Sequence, residues 1–401
     1  MKINRDFITM IPKTDLHLHL DGSMRLGTLI DLAAEAGVEL PGNTESELKR
    51  LVFKDQYADL GEYLAGFAYL TAVMQTSAAL ERVSRELAED NQAEGVRYIE
   101  VRFAPQLHQH AGLGILDVFQ AVNRGLNAAK EAFNRRPEVQ DGKEPPFDYG
   151  IIACAMRMFD RGFSEYFDRL LDVHRHSDRK WIFSLASQEL VRAAIHARDS
   201  LGVPVAGFDL AGQEKGFPAV DHAPAYALAH RNFLKKTVHA GEAFGPESIF
   251  QAITELHADR LGHALHLFDE KSIEDPSITD RKGYVRNLVQ YIGDRRITIE
   301  VCLTSNLQTH PELHRLEDHS FGRMMANQLS ATICTDNRTV SATTVSDEIV
   351  RAVEAFDLDH KALKDLMIHG FKRSFHPGTY VEKRRYVRRM IDYYETVARR
   401  F

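Results

Sequence analysis

Two histidines and two aspartates alternate with three leucines in residues 14–22, TDLHLHLDG. In a β-strand successive side chains point to opposite faces, so His17 and His19 are expected to share a face with the aspartates Asp15 and Asp21, opposite the leucines. Imidazole and carboxylate groups at the end of a strand are common donors to a metal ion. The segment therefore suggests one wall of a metal site; the alternative is a strand whose polar face meets water.

Further candidate donors follow apolar runs later in the chain. His239 and Glu242 end the run VHAGEA, His263 ends LGHA, and Asp336 lies in CTDN. Three imidazoles and one carboxylate from separate strands could surround a divalent ion and leave a position for water, which is typical of a catalytic rather than a structural zinc site. A carboxylic acid and a histidine beside the ion would supply the proton transfers of a hydrolytic reaction.

Eight short apolar runs would position these residues. They span residues 14–22, 96–105, 149–156, 205–212, 236–243, 259–265, 297–305 and 330–336. They alternate with longer amphipathic stretches, which predicts parallel βα units with right-handed crossovers. Eight units in 401 residues favour an α/β fold of the (β/α)8 TIM barrel type, in which chemistry is built at the C-terminal ends of the strands.

Two parts of the chain are additional to the eight βα units. Residues 24–94 are too long for one crossover helix and predict a helical insertion after strand 1, part of it over the barrel mouth. The apolar residues at helical spacing in this insertion are Leu60, Tyr63, Leu64 and Phe67. Amphipathic patterns in 345–375 and 382–401 predict C-terminal helices. We interpret residues 1–401 as a single metal-dependent hydrolase domain.

Composition argues against several classes of partner. The formal net charge is −7 and the charges are mixed along the chain, so there is no basic patch for nucleic acid or an anionic membrane. No apolar run approaches the roughly 20 residues of a membrane span, and the start of the chain lacks a signal-peptide core. Three cysteines without a CxxC pair suggest no disulfide framework. We therefore expect a cytoplasmic protein without an evident protein partner.

The order of the motifs resembles a known family. HLHLDGS, HAGEA, LGH, CLTSN and TDN, with supporting matches at YIEVRFAP and DLAG, are similar to the adenosine deaminase family of the amidohydrolase superfamily. The resemblance extends over roughly residues 11–350 and is specific as a set, although each motif alone is weak. It implies hydrolytic deamination of adenosine and deoxyadenosine to inosine, deoxyinosine and ammonia, with a purine nucleoside and water as partners and one Zn²⁺ per chain.

The resemblance also implies roles for individual residues. The expected zinc ligands are His17, His19, His239 and Asp336. Glu242 is expected to protonate the purine ring nitrogen beside the amino-bearing carbon, and His263 to act as base or electrostatic partner for the attacking water. The expected substrate contacts are the Gly212 backbone at the purine, Asn337 at the purine, His19 and Asp21 near the ribose 5′-hydroxyl, and Leu60, Tyr63, Leu64 and Phe67 in an apolar lid.

The sequence departs from the family pattern at two positions. Asn337 stands where many members carry a second aspartate, which retains hydrogen bonding but removes a charge. Leu303 stands where a proline is usual, which affects backbone stiffness. Position 21 bears on the substrate, because relatives that act on free adenine tend to have glutamate there. The shorter Asp21 leaves room for a sugar and favours a nucleoside.

Three further polar residues are expected to support the site. Asp209, within the strand run GFDLAG, is interpreted as a buried structural acid. Ser305 and Asn306 are expected to orient neighbouring side chains.

The alternatives differ in substrate or in chemistry. The closest is a deaminase of a 5′-modified adenosine, of the 5′-thioadenosine or aminodeoxyfutalosine type, or of adenine. A catalytically silent nucleoside-binding relative is disfavoured by the presence of both Glu242 and His263. Amide or ester hydrolysis is disfavoured by the motif order and by the lack of a candidate lysine to bridge two metals. Iron, cobalt or manganese could replace zinc with the same ligand types.

Overall fold

The computed structural model describes residues 3–57 and 60–401, apart from the side chains of Leu60, Gly61 and Leu64. Its strands are β1 (Lys13–His19), β2 (Val96–Phe103), β3 (Asp148–Met156), β4 (Val205–Ala211), β5 (Lys235–Lys236), β6 (His239–Ala240), β7 (Arg260–His263), β8 (Thr298–Val301) and β9 (Ala331–Ile333). Each of the eight runs predicted as strands overlaps one of these elements, and the run at 236–243 overlaps two, β5 and β6.

The strands form a closed parallel barrel with eight strand positions. Neighbouring strands pair in the order β1-β2-β3-β4-β5 and β6-β7-β8-β9. The short β5 and β6 are halves of one position, since Thr237 between them donates its backbone N–H to Phe208 of β4. Closure of the last position onto the first comes from the His19 N–H, which donates to the Asp336 carbonyl at 2.8 Å. The predicted (β/α)8 barrel is confirmed.

Helices separate and surround the strands. They are α1 (Arg5–Met10), α2 (Leu26–Ala36), α3 (Glu45–Leu51), α4 (Leu60–Val73), α5 (Ser77–Ala93), α6 (Ile115–Asn134), α7 (Pro137–Gln140), α8 (Glu165–Val173), α9 (Arg179–Leu201), α10 (Ala223–Arg231), α11 (Pro246–Thr254), α12 (Arg281–Arg295), α13 (Leu303–Thr309), α14 (Phe321–Ala326), α15 (Val345–Ala355), α16 (His360–Arg373) and α17 (Tyr380–Ala398). The helical insertion after β1 and the C-terminal helices are thus present. Across the described residues, no helix combines the length and apolar character needed to span a membrane.

Helix α4 of the insertion lies against the C-terminal end of the barrel. The Tyr63 hydroxyl accepts a hydrogen bond from Asn337 Nδ2 at 2.8 Å and lies 3.1 Å from Ser341 Oγ. Phe67 is half-buried next to it, with ring centroids 6.0 Å apart. The side chains of the other two predicted lid residues, Leu60 and Leu64, lie outside the described part of the chain. The position of Tyr63 agrees with a helix at the barrel mouth.

A β-bulge interrupts the alternation expected for β1. Asp15 lies opposite Ile99 of β2 and Leu18 lies opposite Val101, so three steps along β1 match two steps along β2. An inserted residue leaves part of the ladder unpaired and changes the faces on which side chains lie before and after it.

The bulge corrects the expectation for two residues of this strand. Leu18 and Leu20 join the main apolar core, whereas Leu16 packs in a separate and smaller apolar cluster. The Asp15 carboxylate accepts hydrogen bonds from the backbone N–H and the hydroxyl of Thr335 instead of joining the two histidines. Hydrophobic periodicity does not reveal such a bulge, because the pattern HLHL is the same with or without it.

Charged side chains fill part of the barrel interior. The Glu300 carboxylate accepts hydrogen bonds from Arg102 at 2.8 Å, from Arg260 at 2.6 Å and from Thr237 at 3.0 Å. Arg102 also donates to Asp209 at 2.7 Å. All five side chains are buried. Burial alone would raise the pKa of Glu300, but the two guanidinium groups hold it well below its ordinary value.

Close packing of α16 on the barrel gives the first prediction. A Cβ added at Gly370 would collide with Thr14 Oγ1 of β1 and lie 3.1 Å from Thr332 Oγ1 of β9. We expect Gly370→Ala to lower the free energy of unfolding by about 1–3 kcal/mol, because buried β-branched neighbours cannot move away freely. The matched control is Gly293→Ala in α12, where the nearest atom is 3.5 Å away. Urea unfolding followed by circular dichroism measures the free energy of unfolding of both variants. If both values equalled that of wild type, the result would contradict this packing.

Candidate active site

Four of the sequence-predicted residues converge where strands β1, β6 and β9 end. One donor atom from each of His17, His19, His239 and Asp336 lies within 4.8 Å of the others, and all four residues are buried. These are the residues predicted as metal ligands. The barrel therefore brings together side chains that are up to 319 positions apart in the chain, as His17 and Asp336 are.

The distances between these donor atoms fit a single small cation. His19 Nε2 lies 3.2 Å from His239 Nε2, and Asp336 Oδ1 lies 3.4 Å from His17 Nε2 and 3.5 Å from His19 Nε2. Two donors that are each about 2.0–2.1 Å from one tetrahedral zinc ion lie about 3.3 Å apart. The distances between these donor atoms therefore match those between neighbouring ligands of one tetrahedral metal ion.

Two buried carboxylates orient the histidine rings. His17 donates from Nδ1 to Glu300 at 2.9 Å, and His239 donates from Nδ1 to Asp209 at 3.1 Å. His239 Nδ1 is also 3.3 Å from the other Asp209 oxygen, Oδ1, to which it hydrogen-bonds. The proton of each neutral ring is therefore on Nδ1, so Nε2 has a free lone pair. Within the described residues, His17 Nε2 is buried and has no hydrogen-bond partner. An unpaired, inward-facing nitrogen of this kind fits a metal ligand.

The protonation states of His17, His239 and Asp336 suit ligand binding. Burial lowers the pKa of His239 to about 3 and lowers that of His17 below its ordinary value. Burial alone would raise the pKa of Asp336, but its close contact with the imidazole of His17 holds it below its ordinary value. The pKa of His19 is raised, because Asp21 and Asp336 outweigh the effect of burial. Neutral imidazoles and an ionised carboxylate are the forms that bind a divalent ion.

A chain of hydrogen bonds sets the tautomer of His263. The backbone N–H of Phe321 donates to His319 Nδ1 at 3.0 Å, so neutral His319 has its proton on Nε2. Burial lowers the pKa of His319 to about 3, which keeps the ring neutral. His319 then donates to Asn306 Oδ1 at 3.2 Å, and Asn306 Nδ2 donates to His263 Nδ1 at 3.1 Å. The ring proton of neutral His263 is therefore on Nε2.

Glu242 lies beside this histidine. Its Oε1 is 3.8 Å from His263 Nε2, and its side chain is 15% exposed, so it can meet a molecule that enters from the barrel mouth. The two residues thus form an acid and imidazole pair next to the four-residue cluster. Asn306, expected to orient a neighbour, does so for His263, and Ser305 Oγ donates to Asp336 at 2.6 Å.

Backbone strain accompanies the strand ends. His263 and Asp336 both have φ of 61°, in the left-handed region that non-glycine residues seldom adopt. Such residues typically cost about 1–3 kcal/mol each and cluster at functional sites. Asn306 and Ser305 hydrogen-bond to these two side chains and fix where they point.

The predicted substrate residues line the same mouth. Asp21 and Asn337 each have a buried side-chain oxygen, Oδ1, without a hydrogen-bond partner among the described residues. Asp21 Oδ1 lies 3.5 Å from His19 Nδ1. Gly212 follows β4 with φ of 104°, a conformation that favours glycine. The unpaired oxygens are acceptors that a bound molecule could satisfy.

Sequence reasoning missed the residues beneath the histidines. Glu300 and Arg102 lie in the strand runs ITIEVC and YIEVRF, and neither was proposed for the site. Their signal was a charged residue inside an otherwise apolar strand, since such a residue is seldom buried without a partner. Asp209, expected to be structural, binds both Arg102 and His239.

We predict that Asp209→Asn weakens zinc binding about 10–100-fold, because an amide no longer offers His239 an anionic acceptor. The control is Asp259→Asn. Asp259 likewise accepts a hydrogen bond from a strand residue, Lys236 of β5, at 2.9 Å, but it does not belong to the histidine cluster. Competition with a fluorescent zinc chelator measures both affinities. Equal affinity in wild type and Asp209→Asn would exclude a role of Asp209 in orienting a ligand.

Comparison with known proteins identifies relatives of this chain. A family model described as adenosine deaminase matches residues 12–393. The chain is 38% identical to an adenosine deaminase of Mycobacteroides abscessus over 374 residues, 92% of each protein. It is similar in fold to an adenine deaminase from Arthrobacter aurescens (TM-score 0.75, 22% identity, 96% of this chain and 99% of that one). An amidohydrolase from Burkholderia ambifaria with bound zinc is also similar (TM-score 0.77, 20% identity, 99% and 95% covered). The chain belongs to the adenosine deaminase family.

Proposed function

We propose that this protein hydrolyses adenosine and deoxyadenosine to inosine and deoxyinosine, with release of ammonia, at a site that holds one Zn²⁺ per chain. The observation that carries the proposal is the convergence of four metal-type donors with an acid and an imidazole in one barrel mouth. The relative from Mycobacteroides abscessus is named an adenosine deaminase and matches 92% of this chain, which supports the same substrate class.

We assign the metal to His17, His19, His239 and Asp336. The donor set of three imidazoles and one carboxylate leaves a coordination position for water, as catalytic zinc sites do. When bound, zinc lowers the pKa of a coordinated water to about 7 and so makes a nucleophile available at neutral pH. The Burkholderia ambifaria amidohydrolase of similar fold was solved with zinc, which supports this choice of metal.

Glu242 is the proposed general acid. Addition of water to the amino-bearing carbon of the purine places negative charge on the adjacent ring nitrogen. A proton from the Glu242 carboxyl to that nitrogen neutralises the charge. Of the two protons of the added water, one restores the Glu242 carboxyl and the other leaves on the amino group, so that the carbon–nitrogen bond breaks to release ammonia and the added oxygen becomes the carbonyl oxygen of the product. The partial exposure of Glu242 at the mouth suits contact with a substrate.

His263 is proposed to act as a hydrogen-bond donor. Its Nδ1 accepts from Asn306, so the neutral ring directs an N–H from Nε2 toward the space beside Glu242. A neutral ring with a protonated Nε2 cannot accept another proton at that atom without becoming a cation. This geometry favours the electrostatic role over the role of base.

The substrate is proposed to extend from the metal toward the insertion. The Gly212 backbone and Asn337 would contact the purine, and Asp21 with His19 would contact the ribose 5′-hydroxyl. Tyr63 and Phe67 would cover the bound molecule from α4. The unpaired Oδ1 of Asp21 supports this assignment, because a carboxylate oxygen can accept from a hydroxyl group.

A substrate panel tests the proposed reaction. We expect zinc-loaded protein to show a higher kcat/KM for adenosine than for adenine, 5′-thioadenosines or aminodeoxyfutalosine, with ammonia release as the assay. A preference for one of the other compounds would support the proposed deamination and show that adenosine is not the preferred substrate. Zinc-loaded protein that binds adenosine but releases no ammonia from any of them would identify a silent nucleoside-binding relative.

We predict that Glu242→Gln lowers kcat about 10²–10⁴-fold, the range expected for loss of a general acid. Zinc content should stay at one per chain, because Glu242 is not among the four clustered donors. Glu255→Gln, at an exposed residue just after α11, is the control and should retain full activity. Ammonia release and metal analysis are measured together; an active Glu242→Gln variant would remove Glu242 from the mechanism.

We also predict that Asp21→Ala removes discrimination between adenosine and 5′-deoxyadenosine. A hydrogen bond to a charged acceptor contributes about 1.5–3 kcal/mol, which corresponds to about 10–100-fold in kcat/KM. Wild type should prefer adenosine by about that factor, and the variant should treat both alike. The ratio is insensitive to partial zinc loss, because both substrates meet the same enzyme. A variant that keeps the preference would show that another group contacts the 5′-hydroxyl.

A further inference from the structure

We propose that Glu214 is a positioning residue that holds the catalytic acid Glu242 in place. The inference rests on the proposed function, since it takes Glu242 as the proton donor. Glu214 lies in the loop after β4, and Glu242 lies in the loop after β6, 28 residues later. The Glu214 side chain reaches across from one loop to the other.

Four consecutive backbone amides converge on the Glu214 carboxylate. Gly241 N–H donates to Oε1 at 2.8 Å. The amides of Glu242, Ala243 and Phe244 donate to Oε2 at 3.1, 2.7 and 3.1 Å. Successive N–H groups that point at one anion form a nest, which holds negative charge by charge-assisted hydrogen bonds. The carboxylate thus defines the backbone path of the segment that contains Glu242.

The site is built around this carboxylate rather than open to solvent. Glu214 is 5% exposed, and Ser248 at the first turn of α11 donates its hydroxyl to Oε1. Without an acceptor, the four amides would be left unpaired in a segment in which Gly241 is buried and the next three residues are half-buried, which is costly. Glu214 does not belong to the metal-type clusters of the described residues, so a metal ion does not explain its burial.

The turn at Gly241 depends on the same contact. Gly241 has φ of 68°, and a Cβ there would collide with the side chain of Ile249 in α11. The glycine permits the turn, and the carboxylate satisfies the amides that the turn exposes. Because Gly212 lies two residues before Glu214, the loop that presents the proposed purine contact also holds the loop that presents the acid.

The first variant is Glu214→Gln, which keeps the side-chain size, removes the charge and places an NH₂ group against backbone donors. We expect kcat for adenosine to fall about 10–100-fold, KM to change less than about threefold, and zinc to remain at one per chain. Ser248→Ala is the matched control, because it removes one donor to the carboxylate and leaves the four amides in place; its kcat should stay within about threefold of wild type.

A double-mutant cycle separates positioning from general stability. If Glu214 acts through Glu242, then Glu214→Gln lowers kcat in wild type and has no further effect in the Glu242→Gln background. Equal losses in both backgrounds would overturn the proposal. Glu214→Asp keeps the charge on a shorter chain and should have a kcat between those of Glu214→Gln and wild type. An Asp variant as impaired as the Gln variant would also overturn it.

Hydrogen exchange tests the contact without any substrate. Amides 241–244 should exchange slowly in the zinc-loaded wild type and faster in Glu214→Gln, while the peptides of β2 and β3 keep their protection. Unchanged exchange at 241–244 in that variant would overturn the proposal. If wild type exchanges as expected but does not deaminate adenosine, the proposed reaction fails and the anion–amide contact stands.

Discussion

The buried ion network around Arg102 is the interaction on which the site depends. Arg102 binds Glu300 at 2.8 Å and Asp209 at 2.7 Å, and these carboxylates in turn receive the Nδ1 protons of His17 and His239. A buried carboxylate without a partner costs several kcal/mol in a low-dielectric interior. The Arg102 guanidinium group is shared by both anions and Arg260 adds a second cation at Glu300, so both carboxylates stay ionised and set the tautomers of the two histidines above them.

The same network explains why the barrel interior is polar. Buried ion pairs contribute little to stability compared with well-packed apolar groups of similar size. Left-handed backbone at His263 and Asp336 adds strain. The buried ion pairs and the strained residues both lie in the part of the barrel interior that presents the metal-type donors. The apolar clusters that pack the strands against the helices stabilise the barrel around it. The strands thus use their inward face for the donor residues and their outward face for the apolar packing that stabilises the fold.

Carboxylates also organise the loops at the barrel mouth. Asp15 binds the Thr335 N–H just before Asp336, and Glu348 of α15 binds Thr304 N–H at 3.1 Å next to Ser305. Glu214 does the same for the segment of Glu242. Each carboxyl group accepts from backbone donors that strand ends leave unpaired, so these loops are positioned by hydrogen bonds and not only by apolar packing.

The sequence alone determined the eight strand runs, the barrel and the identity of the clustered donors. Strand burial and helical amphipathicity are local patterns, and His17 and Asp336 lie in the first and the last strand runs, which must meet in a barrel. Tertiary structure decided the bulge in β1, the proton on His263 Nε2 and the contacts of Glu300, Arg102 and Glu214. These depend on which side chains meet across the barrel at hydrogen-bond distance, and periodicity along one chain does not contain that information.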